Sequence, residues 1–205
     1  MKERADSKFL DLLKEFTWMK IEEHDSSVYG LWPDFRLAYF NPAWVRFAQD
    51  NAGDPLLWSP QCLGTSVMDV TPRELKPFYQ DSFSSCLEGY PKNRKPLQHE
   101  YECSSADVYR KFNMTLYSLK GSAGLLVVNS LLIETANQSK QQHLEEFNET
   151  DYVDTNGLIH QCAHCRKIQH MESMDRWDWI PAWVKEIPEN TSHGICPICF
   201  DHYYL

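Results

Sequence analysis

With 205 residues, 42% of them hydrophobic, and seven Trp, ten Tyr and ten Phe, the chain can build one sizeable core and a small second unit, which excludes wholesale disorder. Twenty Lys and Arg against 29 Asp and Glu leave a formal net charge of −9, and no basic run exceeds two residues, so no DNA- or RNA-binding surface is expected. The charged start Met1 to Ser7 lacks the apolar core of a secretory leader, and no stretch approaches the roughly eighteen apolar residues of a membrane span, so a cytoplasmic protein with reduced cysteines is expected.

In chain order, Phe9, Leu10, Leu12, Leu13, Phe16 and Met19 recur at helical spacing opposite Asp11, Lys14, Glu15 and Lys20, which predicts an amphipathic helix within residues 1–24. Such a helix either packs on its own domain or serves as a dimer-forming or signal-transmitting helix. Ser27 to Leu31 and Arg36 to Phe40 read as two strands around the turn Trp32-Pro33-Asp34. Asn41-Pro42 opens a helix through Ala48, and Thr71-Pro72-Arg73-Glu74 reads as the capped start of a second helix that Gly89 ends. The period then becomes two. Leu97, His99, Tyr101 and Cys103 alternate with polar residues, as do Phe112, Met114 and Leu116, and Gly124 to Ile133 is an aliphatic run suited to a central antiparallel strand. From Glu134 the chain turns polar and reads as a linker or solvated helix over residues 136–156.

Two strands, several short helices and three strands is the layout of the PAS fold. Tyr39-Phe40-Asn41-Pro42-Ala43 resembles the PAS passage from strand into first helix, and Leu63-Gly64 through Met68-Asp69-Val70-Thr71-Pro72 resembles the Gly-containing helical turn that follows. The resemblance covers residues 25–135. Leu63 to Tyr109 is most similar to the photoactive yellow protein branch, in which a cysteine after the proline carries the chromophore. Arg73 stands at that position and cannot form the thioester, so photochemistry of that kind is excluded. The resemblance implies an α+β domain, an antiparallel sheet of about five strands with short helices on one face, that takes a small molecule or a protein partner. His99, on the inward face of its strand, is the candidate for a haem or small-ligand contact, against the plainer role of a hydrogen-bonded core histidine. Cys62, Cys86 and Cys103 stand alone in the sequence and are assigned to core or surface.

Cys162-Ala163-His164-Cys165 and Cys196-Pro197-Ile198-Cys199 are two Cys-x-x-Cys hooks 30 residues apart, the ligand pattern of a closed tetrahedral S₄ site. Structural Zn²⁺ is the leading expectation. Rubredoxin-like iron, a redox dithiol and unrelated free thiols are the alternatives, with His164 or His193 as substitute ligands. Trp177, Trp179, Ile180 and Trp183 either pack around the metal or form an exposed docking face. The words Arg166-Lys167-Ile168 and Ser192-His193-Gly194-Ile195-Cys196-Pro197 within residues 157–203 resemble a carboxy-terminal extension of bacterial sensor and response-regulator proteins, which implies a signalling context.

The expected organisation is therefore a helix at 1–24, a PAS domain at 25–135, a polar linker at 136–156 and a Cys₄ zinc unit at 157–205. No Gly-rich phosphate loop, nucleophile elbow or open three-ligand metal site appears, so a non-catalytic sensor acting through a signalling partner is expected. The alternative is a haem- or iron-based redox or gas sensor.

Overall fold

A computed structural model of the chain describes residues 2–51, 53, 59–89, 96–105, 108–136 and 147–204. The Asp6 carboxylate accepts the Lys8 N–H at 2.8 Å and caps α1 (Ser7–Leu12). A tight turn over Leu13–Glu15 follows, Phe16 is extended, and α2 (Trp18–Glu22) begins after it. The single helix expected over residues 1–24 is thus two short helices with a break. The break brings Phe9, Leu13 and Ile21 into one cluster with Val28, Ala38, Tyr39, Leu119 and Leu126. These apolar residues pack on the protein's own sheet, the first of the two readings of the amino-terminal segment.

The packing partners explain two glycines. The Phe9 ring lies against Gly30 and Gly124, and a Cβ at Gly124 would stand 2.8 Å from the ring and 2.8 Å from the Leu31 carbonyl oxygen. Trp32 meets the same ring edge-on at 5.0 Å.

Strands β1 (Ser27–Leu31) and β2 (Leu37–Phe40) form the expected antiparallel hairpin. Its turn places Phe35 at φ 63, a strained conformation for a bulky side chain, and the Phe35 ring packs on Phe83 with centroids 5.5 Å apart. Next come α3 (Pro42–Asp50), α4 (Val67–Val70) and α5 (Lys76–Glu88). The helix start expected at Thr71 is displaced. Ser66 caps α4, and the Thr71 hydroxyl turns back to donate to the Val67 carbonyl at 2.8 Å, which closes α4 and opens nothing. Strands β3 (Leu97–Glu102), β4 (Val108–Ser118) and β5 (Leu125–Ala136) complete a five-stranded sheet in the order β2-β1-β5-β4-β3.

The aliphatic run is central, with β5 paired antiparallel to β1 from Leu31↔Leu125 to Ser27↔Asn129. Strand alternation sends Val28 toward the cluster built on Phe9, while Tyr29 meets Trp44 of α3 at 4.8 Å. The amino-terminal helices therefore cover the sheet face opposite α3. The free edge of β2 is also covered. Asp6 donates its N–H to the Ala38 carbonyl at 2.7 Å, Arg4 donates to the Phe40 carbonyl at 3.1 Å and pairs with Glu22, and Tyr39 donates to Glu22 at 2.9 Å. An antiparallel five-stranded sheet with α3 to α5 inserted between β2 and β3 is the PAS fold, in an α+β chain that also carries a tight four-cysteine cluster.

One buried side chain organises this region. Asn41 is fully buried, and its Oδ1 accepts N–H groups from Val28 and Trp44, each at 3.0 Å. Its Nδ2 lies 3.3, 3.3 and 3.0 Å from the carbonyl oxygens of Ile21, His24 and Ser26. The expected helix cap is present, and the same amide also ties the amino-terminal segment to β1.

By internal contacts the chain divides into one unit comprising Met1–Thr71, Tyr79–Glu100 and Asn113–Leu131, and a second comprising Pro72–Phe78, Tyr101–Phe112 and Leu132–Leu205. The second unit contains a four-stranded sheet in the order β8-β7-β6-β9, from β6 (Ile159–Cys162), β7 (Ile168–His170), β8 (Ser173–Asp178) and β9 (Thr191–Gly194). Two helices accompany it, α6 (Pro181–Lys185) and α7 (Pro197–Tyr204). Its apolar cluster joins Tyr152, Ile159, Ile168, Ile180 and Trp183, with Phe147 and Val153 packed against them. The stretch read as a linker over 136–156 thus supplies core residues from Phe147 onward, while residues 137–146 of it lie outside the described residues.

Candidate metal centre

Each Cys-x-x-Cys hook follows the end of a strand, and the two strands lie side by side. β6 and β9 pair in parallel with Cys162 opposite Gly194, so the hooks leave the sheet at the same end. The first hook closes through Cys162 N–H to the Lys167 carbonyl at 2.8 Å and Arg166 N–H to the Cys162 carbonyl at 3.0 Å, with Arg166 at φ 61. It is fastened to the second where Ala163 donates its N–H to the Gly194 carbonyl at 2.8 Å. The second hook runs into α7, and Phe200 N–H closes on the Cys196 carbonyl at 2.8 Å.

The four sulfurs of Cys162, Cys165, Cys196 and Cys199 all lie within 4.8 Å of one another, and the residues are 0, 8, 2 and 7% exposed. Cys165 Sγ and Cys196 Sγ are 3.7 Å apart. A tetrahedral ion with metal–sulfur bonds of about 2.3 Å places its sulfurs about 3.8 Å apart, so this spacing fits an S₄ metal shell. None of the four is in a disulfide. Hydrogen bonding from Cys165, then Cys196 and Cys199, pulls the Cys162 thiol well below the ordinary thiol range, and the bond to Cys162 pushes Cys165 up. A second or third thiolate in so small and buried a space calls for a cation beside it. An all-sulfur donor set suits zinc or iron, and four ligands leave no position for substrate or water.

His164 does not replace a cysteine. Its Nδ1 lies 3.3 Å from Cys199 Sγ and its ring meets Tyr203 edge-on at 4.6 Å, while His193 is exposed on β9. Of the four residues named for packing or docking, Trp179, Ile180 and Trp183 are buried and supply packing, and Trp177 is half-buried on β8. His99 lies half-buried on β3. Among the described residues the four cysteines form the grouping of three or more His, Cys, Asp or Glu side chains close enough to share an ion.

Beneath the hooks, Asp178 is 1% exposed, and its Oδ2 accepts the Tyr152 hydroxyl at 2.7 Å and Arg176 Nε at 2.8 Å. Sequence reading missed this pair because Tyr152 sits in an acidic, polar run. Asp178→Ala leaves a buried hydroxyl and a guanidinium without their acceptor. We expect it to destabilise this unit by about 2–4 kcal/mol, read as faster hydrogen exchange across residues 147–204. Nearby, Asp154 accepts the N–H groups of Leu158 and Asn156 and the Nε2 of His160, and these bonds, Leu158 first, lower its pKa to about 2.

A PAS-fold sheet together with a closed four-thiol centre defines the class of this protein. Comparison with solved structures finds similarity to a domain of the sensory box sensor histidine kinase/response regulator from Geobacter sulfurreducens, at 11% identity and a TM-score of 0.39, covering 61% of this chain and 96% of that one. It also finds the PAS domain of an HTR-like protein from Haloarcula marismortui, at 14% identity and a TM-score of 0.33, covering 56% and 92%. No protein-family model and no curated protein matches the chain. Among the described residues no helix is long and apolar enough to cross a membrane.

Proposed function

We propose that this chain is a non-catalytic signal-transduction module of the cytoplasm. In it a PAS domain over residues 25–135 receives a small molecule or a protein partner, and a zinc-stiffened tail over residues 157–205 carries the response to a signalling protein. The observation that carries the reading is the convergence of four buried sulfurs from two hooks, a closed centre that holds shape and leaves no room for chemistry. The likeness of Ser192-His193-Gly194-Ile195-Cys196-Pro197-x-Cys199 to the carboxy-terminal extension of bacterial sensors supports the signalling context, and Asp69-Val70-Thr71-Pro72 supports descent near the photoactive yellow protein branch.

A route between ligand and tail is also supported. The compact unit that holds the cysteines includes Pro72–Phe78, where Phe78 meets Tyr203 edge-on at 4.7 Å and the Glu74 carbonyl accepts the Tyr204 hydroxyl at 2.6 Å. Phe78 is covalently continuous with α5, whose Phe83 packs under the β1–β2 turn.

Elemental analysis with native mass spectrometry of the purified chain tests the metal. One zinc per chain, no visible absorption and loss of the ion when all four cysteines are replaced by serine are the expected results. Retention of one equivalent in that variant would overturn the reading. The second reading is a haem- or iron-based sensor, in which iron in the Cys₄ shell or a cofactor bound at His99 changes state; the all-sulfur shell, which also accepts iron, favours the first of these. A coloured preparation would select it.

A further inference from the structure

Around a metal bound by four thiolates, the excess negative charge on sulfur is balanced by whatever donors the protein aims at it. Besides the Cys199 backbone N–H, which serves the Cys196 sulfur, two donors of this kind join one hook to the other. The Cys196 backbone N–H lies 3.4 Å from Cys162 Sγ, and His164 Nδ1 lies 3.3 Å from Cys199 Sγ. The first is backbone and survives any side-chain change there. The second belongs to a residue inside the first hook that reaches a sulfur of the other, across 35 positions of chain.

We infer that His164 is a positioning residue of the metal centre: as the neutral tautomer with hydrogen on Nδ1, it donates to the Cys199 thiolate and locks the second hook to the first. This rests on the metal reading proposed above.

The geometry accounts for the choice of residue. The 4.6 Å edge-on contact with Tyr203 fixes the ring plane against α7, so Nδ1 is held toward sulfur without spending a separate loop on it. Cys199 lies within the first turn of the eight-residue helix α7, where His164 brings it a side-chain N–H from the other hook. A hydrogen bond to a thiolate offsets the excess negative charge that four sulfurs gather around one ion, and it lowers the electron density open to outside electrophiles. Its removal should therefore loosen the ion and leave the sulfur more reactive toward alkylation.

The experiment compares the full-length chain with His164→Ala and His164→Asn, loaded with Zn²⁺ or with Co²⁺ as a visible probe. Asparagine places an amide N–H near the position of Nδ1, whereas alanine removes the donor and the ring together. Zinc affinity by chelator competition should fall about 10- to 100-fold in His164→Ala and be largely restored in His164→Asn. The sulfur-to-cobalt charge-transfer band should move in the alanine variant and return in the asparagine one.

Alanine with unchanged affinity and unchanged band would overturn the inference. So would equal loss in both variants, since that pattern assigns the effect to ring packing on Tyr203 and not to the donor. A wild-type chain that takes up neither ion would overturn the metal reading itself, and that outcome is distinct because it appears before any variant is compared.

Discussion

Replacing Cys162 by serine should release the metal and unfold the region from Phe147 to Tyr204, while the sheet of the first unit keeps its structure. The reason is the scale of the opposing terms. Structural zinc supplies about 10–16 kcal/mol of apparent binding energy in small Cys and His sites, whereas the apolar cluster here is built from Tyr152, Ile159, Ile168, Ile180 and Trp183. A core of that size sits near the margin at which ordering entropy cancels burial. Removal of one ligand also leaves the remaining buried thiolates with less charge compensation.

Hydrogen exchange reads the result by region. Protection should vanish across residues 147–204 and persist at the pairs Tyr29↔Val127 and Val28↔Val128 of the central strands. A strong chelator should produce the same pattern in the wild-type chain, and one equivalent of zinc should reverse it. Intact protection of the tail in the serine variant would remove the metal from the account of its folding.

The second large effect is expected at Asn41. Asn41→Ala deletes an acceptor for two buried N–H groups and a donor amide facing three carbonyls. The losses are not additive, and about 4 kcal/mol is the expected total, a fall of roughly 10–20 °C in the melting temperature of this unit. Asn41→Asp is the sharper probe because it keeps shape and acceptor but turns an oxygen toward those carbonyls at 3.0–3.3 Å.

Burial and the facing carbonyls raise the pKa of such a carboxyl in the folded state. A raised folded pKa means that the penalty is absent below the unfolded pKa and fully present above the folded one. The deficit of Asn41→Asp relative to wild type should therefore shrink as pH is lowered through the carboxylate range, while that of Asn41→Ala stays flat. Thermal unfolding at several pH values distinguishes the two.

What could be read from the residues follows the range of the interactions. The hairpin around Pro33, the Asn41-Pro42 helix start, the aliphatic β5 and the two Cys-x-x-Cys hooks are local patterns, and each is present. The break after Leu12 was not legible, because apolar spacing continues through Phe16 and Met19 while the decision to bend is made by the distant glycines that receive Phe9. Thr71-Pro72-Arg73-Glu74 carries the letters of a capping box, yet the Thr71 hydroxyl had a nearer carbonyl at Val67.

At the centre, the ligands were legible from spacing, but their alignment was not. Strands of three or four residues such as β7 and β9 give no periodic signal, and their parallel partnership is a tertiary fact. The role of Asp178 was hidden for a related reason. Its partner Tyr152 lies 26 positions away in a segment whose composition says solvent.

The parallel pairing of β6 with β9 has a kinetic corollary. Cys162 and Cys196 are 34 positions apart, so the second hook finds its place only after a long loop has closed, whereas β7 and β8 meet through a turn of two residues. Loop closure of that kind slows assembly far more than it weakens the finished structure. An ion captured first by Cys162 and Cys165 would wait, half-coordinated, for the distant pair, and the speed with which this region matures should then depend on free zinc concentration even where its final stability no longer does.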